Sequence, residues 1–214
     1  MTTTVFSFDE SGELKVEVLE SPKKSPKREH KGRSLLALPG DYVVLDLETT
    51  GLDPRFDSII EIGIMRVREN EPTERFDLLV KPPNLVSDFI TELTGITNQQ
   101  LEIAPDISDA LPQALDFIGQ DIVIGHNVNF DINFLYDFCE YLNLPFFDRD
   151  FIDTMRLSRR LFPELPHHRL IDLIDHFGLT GSPMHRASSD IEYTWQCFEL
   201  MREYCIGNNI KLVS

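Results

Sequence analysis

Cysteine is scarce in this 214-residue chain: Cys139, Cys197 and Cys205 are an odd number, and none lies in a CxxC pair. A disulfide framework and a cysteine zinc site are therefore excluded, and the three read as core or surface thiols. Long apolar runs are also lacking, since nothing approaches the roughly 20 residues a membrane-spanning helix needs. The opening MTTTVFSFDESGEL has no basic segment followed by an apolar run, so it is not a secretory signal. The expectation is a cytoplasmic protein with no membrane association. Positive charge is in short supply, with 20 Lys and Arg against 36 Asp and Glu and a formal net charge of −16. Taken alone, that balance opposes nucleic-acid binding, whose affinity rests largely on Lys and Arg against phosphates. Carboxylates gathered to hold cations would account for part of it.

What is present is enough for one core: 42% of the residues are hydrophobic, which suits a domain of roughly 170 to 180 residues. We divide the chain into an N-terminal extension, 1–37, and a main domain, 38–214. The extension begins with two alternating runs around Asp9-Glu10-Ser11-Gly12, the pattern of a small β-hairpin. It continues with SPKKSPKREHKGRS, which holds Lys23, Lys24, Lys27, Arg28, Lys31 and Arg33. This segment reads as a solvated tether or as an arm that touches phosphates. In the main domain, strands are expected over 41–47, 58–68 and 74–81, joined by short turns as an antiparallel meander. Helices over 87–93 and 106–119, a short strand over 121–125 and helices over 128–142, 153–161, 169–177 and 187–204 follow from apolar periodicity. Gly178 stands where a helix-ending glycine belongs. The fold class is α/β, a mixed sheet with helices packed against it.

Three segments carry chemistry. In VVLDLETTG, Asp46 and Glu48 stand two apart at the end of an apolar strand and so share one face. Two carboxylates there repel unless a proton or cation intervenes, and a divalent metal is the natural partner. In GHNVNFD, Asp131 falls in the first turn of a helix, where the helix dipole favours negative charge. In HRASSD, Asp190 sits one turn inside the last long helix, with His185 on the loop before it. Each segment alone is a weak signal.

Together, in this order and spacing, DxETTG, GHNxxFD and HxAxxD resemble the DEDD exonuclease superfamily in its histidine form. The likeness runs over about 41–203 and is strongest to the proofreading (epsilon) subunit of bacterial DNA polymerase III. It implies a ribonuclease-H-like fold and metal-dependent 3′→5′ removal of nucleotides from DNA, in proofreading or repair. It also implies that Asp46, Glu48, Asp131 and Asp190 hold two Mg²⁺ or Mn²⁺ ions. One would activate the attacking water and the other would stabilise the leaving 3′ oxygen. His185 would be the general base, because the position a tyrosine fills in the other form of the family is Arg186 here. Thr49 and Leu52 would touch the terminal nucleotide. His126 and Asn127 either contact substrate or, for Asn127, cap the following helix. Single-stranded or frayed 3′ DNA ends are the expected partner, and a DNA polymerase is a further one. Against the latter, the chain ends about ten residues past its last helix, with no long tethering tail. An RNA exonuclease and an inactive scaffold are the alternatives. Asp153 reads as an N-cap, Phe130 as core, and His167 and His168 as surface or helix-start residues.

Overall fold

The computed structural model describes residues 2–8, 14–20, 27–180 and 186–212. The first two strands, β1 (Thr2–Phe8) and β2 (Leu14–Glu20), pair antiparallel as the alternation predicts. The main sheet has six strands: β3 (Ser34–Leu35), β4 (Tyr42–Thr49), β5 (Ile59–Arg68), β6 (Glu71–Leu79), β7 (Val123–Gly125) and β8 (Phe151–Asp153). Their order is β3-β8-β7-β4-β5-β6. The meander β4-β5-β6 is antiparallel, whereas β7, β8 and β3 join parallel to β4. Among the described residues, seven helices cover it: α1 (Asp88–Thr94), α2 (Asn98–Glu102), α3 (Ile107–Ile118), α4 (Asn129–Tyr141), α5 (Thr154–Leu161), α6 (Leu170–Phe177) and α7 (Ala187–Gly207). This is the expected mixed sheet flanked by helices.

The period-two alternation of β4 decides which side is which. Val43, Leu45 and Leu47 enter the core formed with α3 and α4. Tyr42 and Val44 enter the core formed with α5, α6 and α7. Asp46 and Glu48 continue the second set, so the strand delivers both carboxylates toward α7. Among the described residues, no helix is long and apolar enough to cross a membrane.

Residues 27–35 do not behave as a tether. Arg28 forms a bidentate pair with Asp137 of α4 (2.6 Å for each bond). Lys31 donates to Asn129 and Asn133 (2.5 and 2.7 Å), and Arg33 pairs with Asp150. Ser34 and Leu35 then extend the sheet beside β8. Gly32 permits this seating, because a Cβ there would lie 1.9 Å from the Arg149 carbonyl oxygen. The charges of this stretch are spent on protein partners, which is why a reading from composition alone misplaces it.

Candidate active site

The site forms where β4 outruns its parallel neighbour. β7 pairs with β4 only at Val43 and Val44, so the Leu47 N–H has no strand partner on that side. Asp131 takes the place of the missing strand: its Oδ1 accepts from the Leu47 N–H at 3.0 Å. Buried backbone donors need such partners, and here the partner is a carboxylate only 4% exposed. The crevice lies at the carboxyl ends of β4 and β7, where open α/β sheets place their ligands.

From the opposite side, α7 brings Asp190 in its first turn. Single carboxylate oxygens of Asp46, Glu48 and Asp190 all lie within 4.8 Å of one another. Among the described residues, no lysine or arginine pairs with Asp46, Glu48 or Asp131. The crowding shows in the acidities. Burial, then Asp131, Asp190 and Glu48, push the Asp46 carboxyl well above the usual range. Burial and the Asp190 charge lift Glu48 to about 7. Burial also raises Asp131, with Glu48 and Asp153 adding to the shift against its two stabilising backbone hydrogen bonds. A cluster of hard oxygen donors that resists ionisation suits divalent cations, which remove the repulsion and prefer oxygen. The donor set therefore fits divalent metal ions.

One residue that organises the site was not singled out from the sequence. Glu61 of β5 lies directly opposite Glu48 in the strand register and is 3% exposed. Its carboxylate accepts from the Arg186 guanidinium (2.7 Å) and from the Ala187 N–H at the start of α7 (3.0 Å). It thus fixes the helix end that carries Asp190. The same contact needs Gly63, opposite Asp46, because a Cβ there would approach the Ala187 Cβ to 2.8 Å. The available signal was a lone acid inside the apolar run SIIEIGIM, which demands a buried partner. Glu61→Ala leaves an arginine and a helix N–H without that partner. We expect a loss of about 2 to 4 kcal/mol in chemical unfolding and at least a tenfold fall in activity. Glu61→Gln, which keeps one acceptor, should lose less of both.

The loop after β4 is held by its own side chains. Asp57 Oδ2 accepts from the Asp53 N–H (2.9 Å), and a Cβ on Gly51 would strike the Asp57 carboxylate at 2.4 Å. Close approach is thus the reason for glycine at this turn. Thr49 Oγ1 donates to the Gly51 carbonyl (2.6 Å), and Leu52, just past the end of β4, is left 85% exposed.

The GHN turn is pinned from β8. The Thr154 hydroxyl donates to the Gly125 carbonyl (3.2 Å), which leaves its oxygen to accept from Nδ1 of His126 (2.9 Å). Burial lowers the His126 imidazole to about 4, so it is neutral at pH 7. Asn127 adopts a left-handed φ of 57°, which asparagine tolerates, and its N–H donates to Asp153 Oδ1 (2.9 Å). The N-cap of α4 is Val128, with no side-chain cap, so the capping reading of Asn127 is set aside. Asp153 is the N-cap of α5 as expected, and the additional bond to Asn127 makes it a brace for the turn. Asp46, Glu48 and Asp190 thus converge, with Asp131 held beside them on the Leu47 N–H, Thr49 at the end of β4, and Leu52, His126 and Asn127 on the turns that follow β4 and β7. His185 lies outside the described residues.

A mixed sheet of this order, with acids gathered at its strand ends, is the ribonuclease-H-like exonuclease fold. It is shared with E. coli exonuclease I in complex with a dT13 oligonucleotide (TM-score 0.69, 20% identity, 79% of this chain and 42% of that one). It is also shared with exonuclease X in complex with 5′ overhanging duplex DNA (TM-score 0.59, 23% identity, 80% and 95%). Residues 43–198 match the RNase T exonuclease family, and the chain belongs to that family, hydrolases of the 3′→5′ exonuclease class. It is 36% identical over 180 residues to the DNA polymerase III epsilon subunit of Aquifex aeolicus, covering 82% of this chain and 89% of that protein. It is 36% identical over 183 residues to the PolC-type DNA polymerase III of Caldanaerobacter subterraneus, where it spans 86% of this chain but 13% of the relative.

Proposed function

We propose that this chain removes nucleoside 5′-monophosphates one at a time from single-stranded or frayed 3′ ends of DNA, in proofreading or repair. The observation that carries the reading is the convergence of Asp46, Glu48 and Asp190 from two elements on one point, with no paired cation among the described Lys and Arg side chains for the first two. Asp46, Glu48, Asp131 and Asp190 are the ligands for two Mg²⁺ or Mn²⁺ ions. When bound, the ions supply charge neutralisation and Lewis acidity at the scissile phosphate. Water attacks the terminal phosphorus, the bond to the 3′ oxygen breaks, and His185 takes the water proton. Neutral His126 supports the turn that aims Asp131, while Thr49 and exposed Leu52 meet the terminal nucleotide. The catalytic unit is 38–214, with 1–37 as an extension whose part from Lys27 seats upon it.

DNA is favoured over RNA because the relatives at 36% identity are DNA polymerase III proteins. The same likeness makes a DNA polymerase the proposed protein partner. Incubating the protein and Mg²⁺ or Mn²⁺ with 5′-labelled DNA and RNA oligonucleotides of one sequence tests this. A ladder shortening from the 3′ end, faster on DNA and abolished by EDTA, is the expected result. Faster cleavage of RNA would move the substrate assignment to RNA ends, and no cleavage of either would remove the independent-exonuclease reading.

A further inference from the structure

Acidic residues exceed basic ones by sixteen in the whole chain, yet one segment beside the site reverses that sign. Between residues 156 and 169 stand Arg156, Arg159, Arg160 and Arg169, with His167 and His168 and a single acid, Glu164. The segment is most of α5 and the turn into α6. Leu157, Ser158 and Leu161 face the core, which leaves Arg156, Arg159 and Arg160 exposed at i, i+3 and i+4 on one face. Arg169 is tied to Asp172, and Arg156 donates to the Ser34 carbonyl and hydroxyl (2.9 and 2.8 Å). Arg159 and Arg160 form no ion pair with any described residue. Arg159 and Arg160 stand in the last turn of α5, where the helix dipole favours cations, but the three like charges on one face also repel one another.

Its position is set by contacts already described. Thr154, the first residue of α5, is bonded to His126, and Asp153 at its cap is bonded to Asn127. Ser158 Oγ lies 3.0 Å from His168 Nδ1, which folds the α5–α6 turn back toward the helix start. The Arg159 charge acts on both His126 and Asp153, within electrostatic reach of the turn that leads to Asp131. From Thr154 to Arg160 the helix rises about 9 Å, the span of roughly two to three stacked nucleotides. The cations therefore lie along a helix whose start is bonded to the turn that leads to Asp131.

We propose that Arg159 and Arg160 form a phosphate track for the single-stranded backbone a few nucleotides 5′ of the bond being hydrolysed. The inference rests on the exonuclease reading above and extends it to how the strand is oriented. Contacts of this kind fix register without reading sequence. They also resolve the objection from net charge: the acidic remainder repels the strand, and one basic lane accepts it with its 3′ end toward the metal ligands.

The test compares two substrates of the full chain with Mn²⁺. One is the p-nitrophenyl ester of thymidine 5′-monophosphate, which has one phosphodiester and nothing upstream. The other is a 5′-labelled single-stranded oligonucleotide of about 12 nucleotides, across a salt series. The double substitution Arg159→Ala with Arg160→Ala should lower kcat/KM on the oligonucleotide relative to the ester by about tenfold, through KM. It should also flatten the slope of log kcat/KM against log salt by about 0.7 for each arginine. Arg159→Lys with Arg160→Lys should restore most of that slope. An unchanged ratio and slope in the alanine protein would overturn the track and make this a solvated helix face. If the unsubstituted chain cleaves neither substrate, the exonuclease reading itself falls and the track with it.

Discussion

Asp46→Asn is expected to reduce the rate of 3′-end hydrolysis by roughly 10³-fold or more, with little change in the fold. The estimate follows from removing one oxygen donor from the centre of the cluster, where metal charge stabilisation contributes several kcal/mol and each 1.36 kcal/mol is tenfold in rate. Asp46 is the residue to change because burial first, and then Asp131, Asp190, Glu48 and Glu61, all raise its proton affinity. Asparagine keeps the shape at the end of β4 and leaves the backbone pairing opposite Gly63 intact. Single-turnover cleavage of a labelled oligonucleotide measures the effect, with circular dichroism as the control for folding. A residual rate within tenfold of the parent would remove Asp46 from the metal site.

The metal-free protein should become less stable as pH rises from 5 to 8, and the same substitution should reverse much of that loss. Glu48 has a folded value of about 7 against an ordinary 4.5, so the native state holds a proton that the unfolded chain has released. A carboxyl raised in this way favours folding at low pH. The advantage shrinks as pH passes through the interval, and above about 7 the folded state carries the full repulsion. For Glu48 alone the difference is of the order of 3 kcal/mol, or roughly 5 to 10 °C in melting temperature for a chain of this size. Asp46 shifts in the same direction. Thermal unfolding in EDTA at pH 5.5 and 8 should therefore show the drop in the parent and a smaller one in Asp46→Asn and Glu48→Gln. Added Mn²⁺ should restore the parent at pH 8 far more than either variant. A parent protein equally stable at both pH values, with no response to metal, would contradict the electrostatic account of the site.

The elements that position the carboxylates could be read from the sequence because their signals are local and strong. The apolar run of β4 ending in Asp46 and Glu48, and the helical period behind Asp131 and Asp190, both depend on side-chain spacing. The observed strand and helix bounds lie within a few residues of those expected. Shorter pieces escaped. The five-residue α2 rests on a capping box of Thr97 and Gln100 rather than on periodicity. β3 and β8 have two and three residues and exist only because a partner strand is present. Glu61 and Asp153 show the other limit. Each was visible as a residue type, but what it holds, the start of α7 or the Asn127 turn, is fixed by a contact distant in sequence.

The seating of residues 27–35 also bears on the open edges of the sheet. A sheet has two open edges, each a template for another chain. On one side the edge is β6, whose Glu71, Glu74, Arg75 and Asp77 place charge along the exposed row. On the other, β8 would present Phe151 and Ile152, and the two residues of β3 cover them with a strand too short to recruit a further one. A chain shortened to begin at Leu36 would keep every carboxylate of the site and lose this cover, so concentration-dependent aggregation would appear before any loss of chemistry.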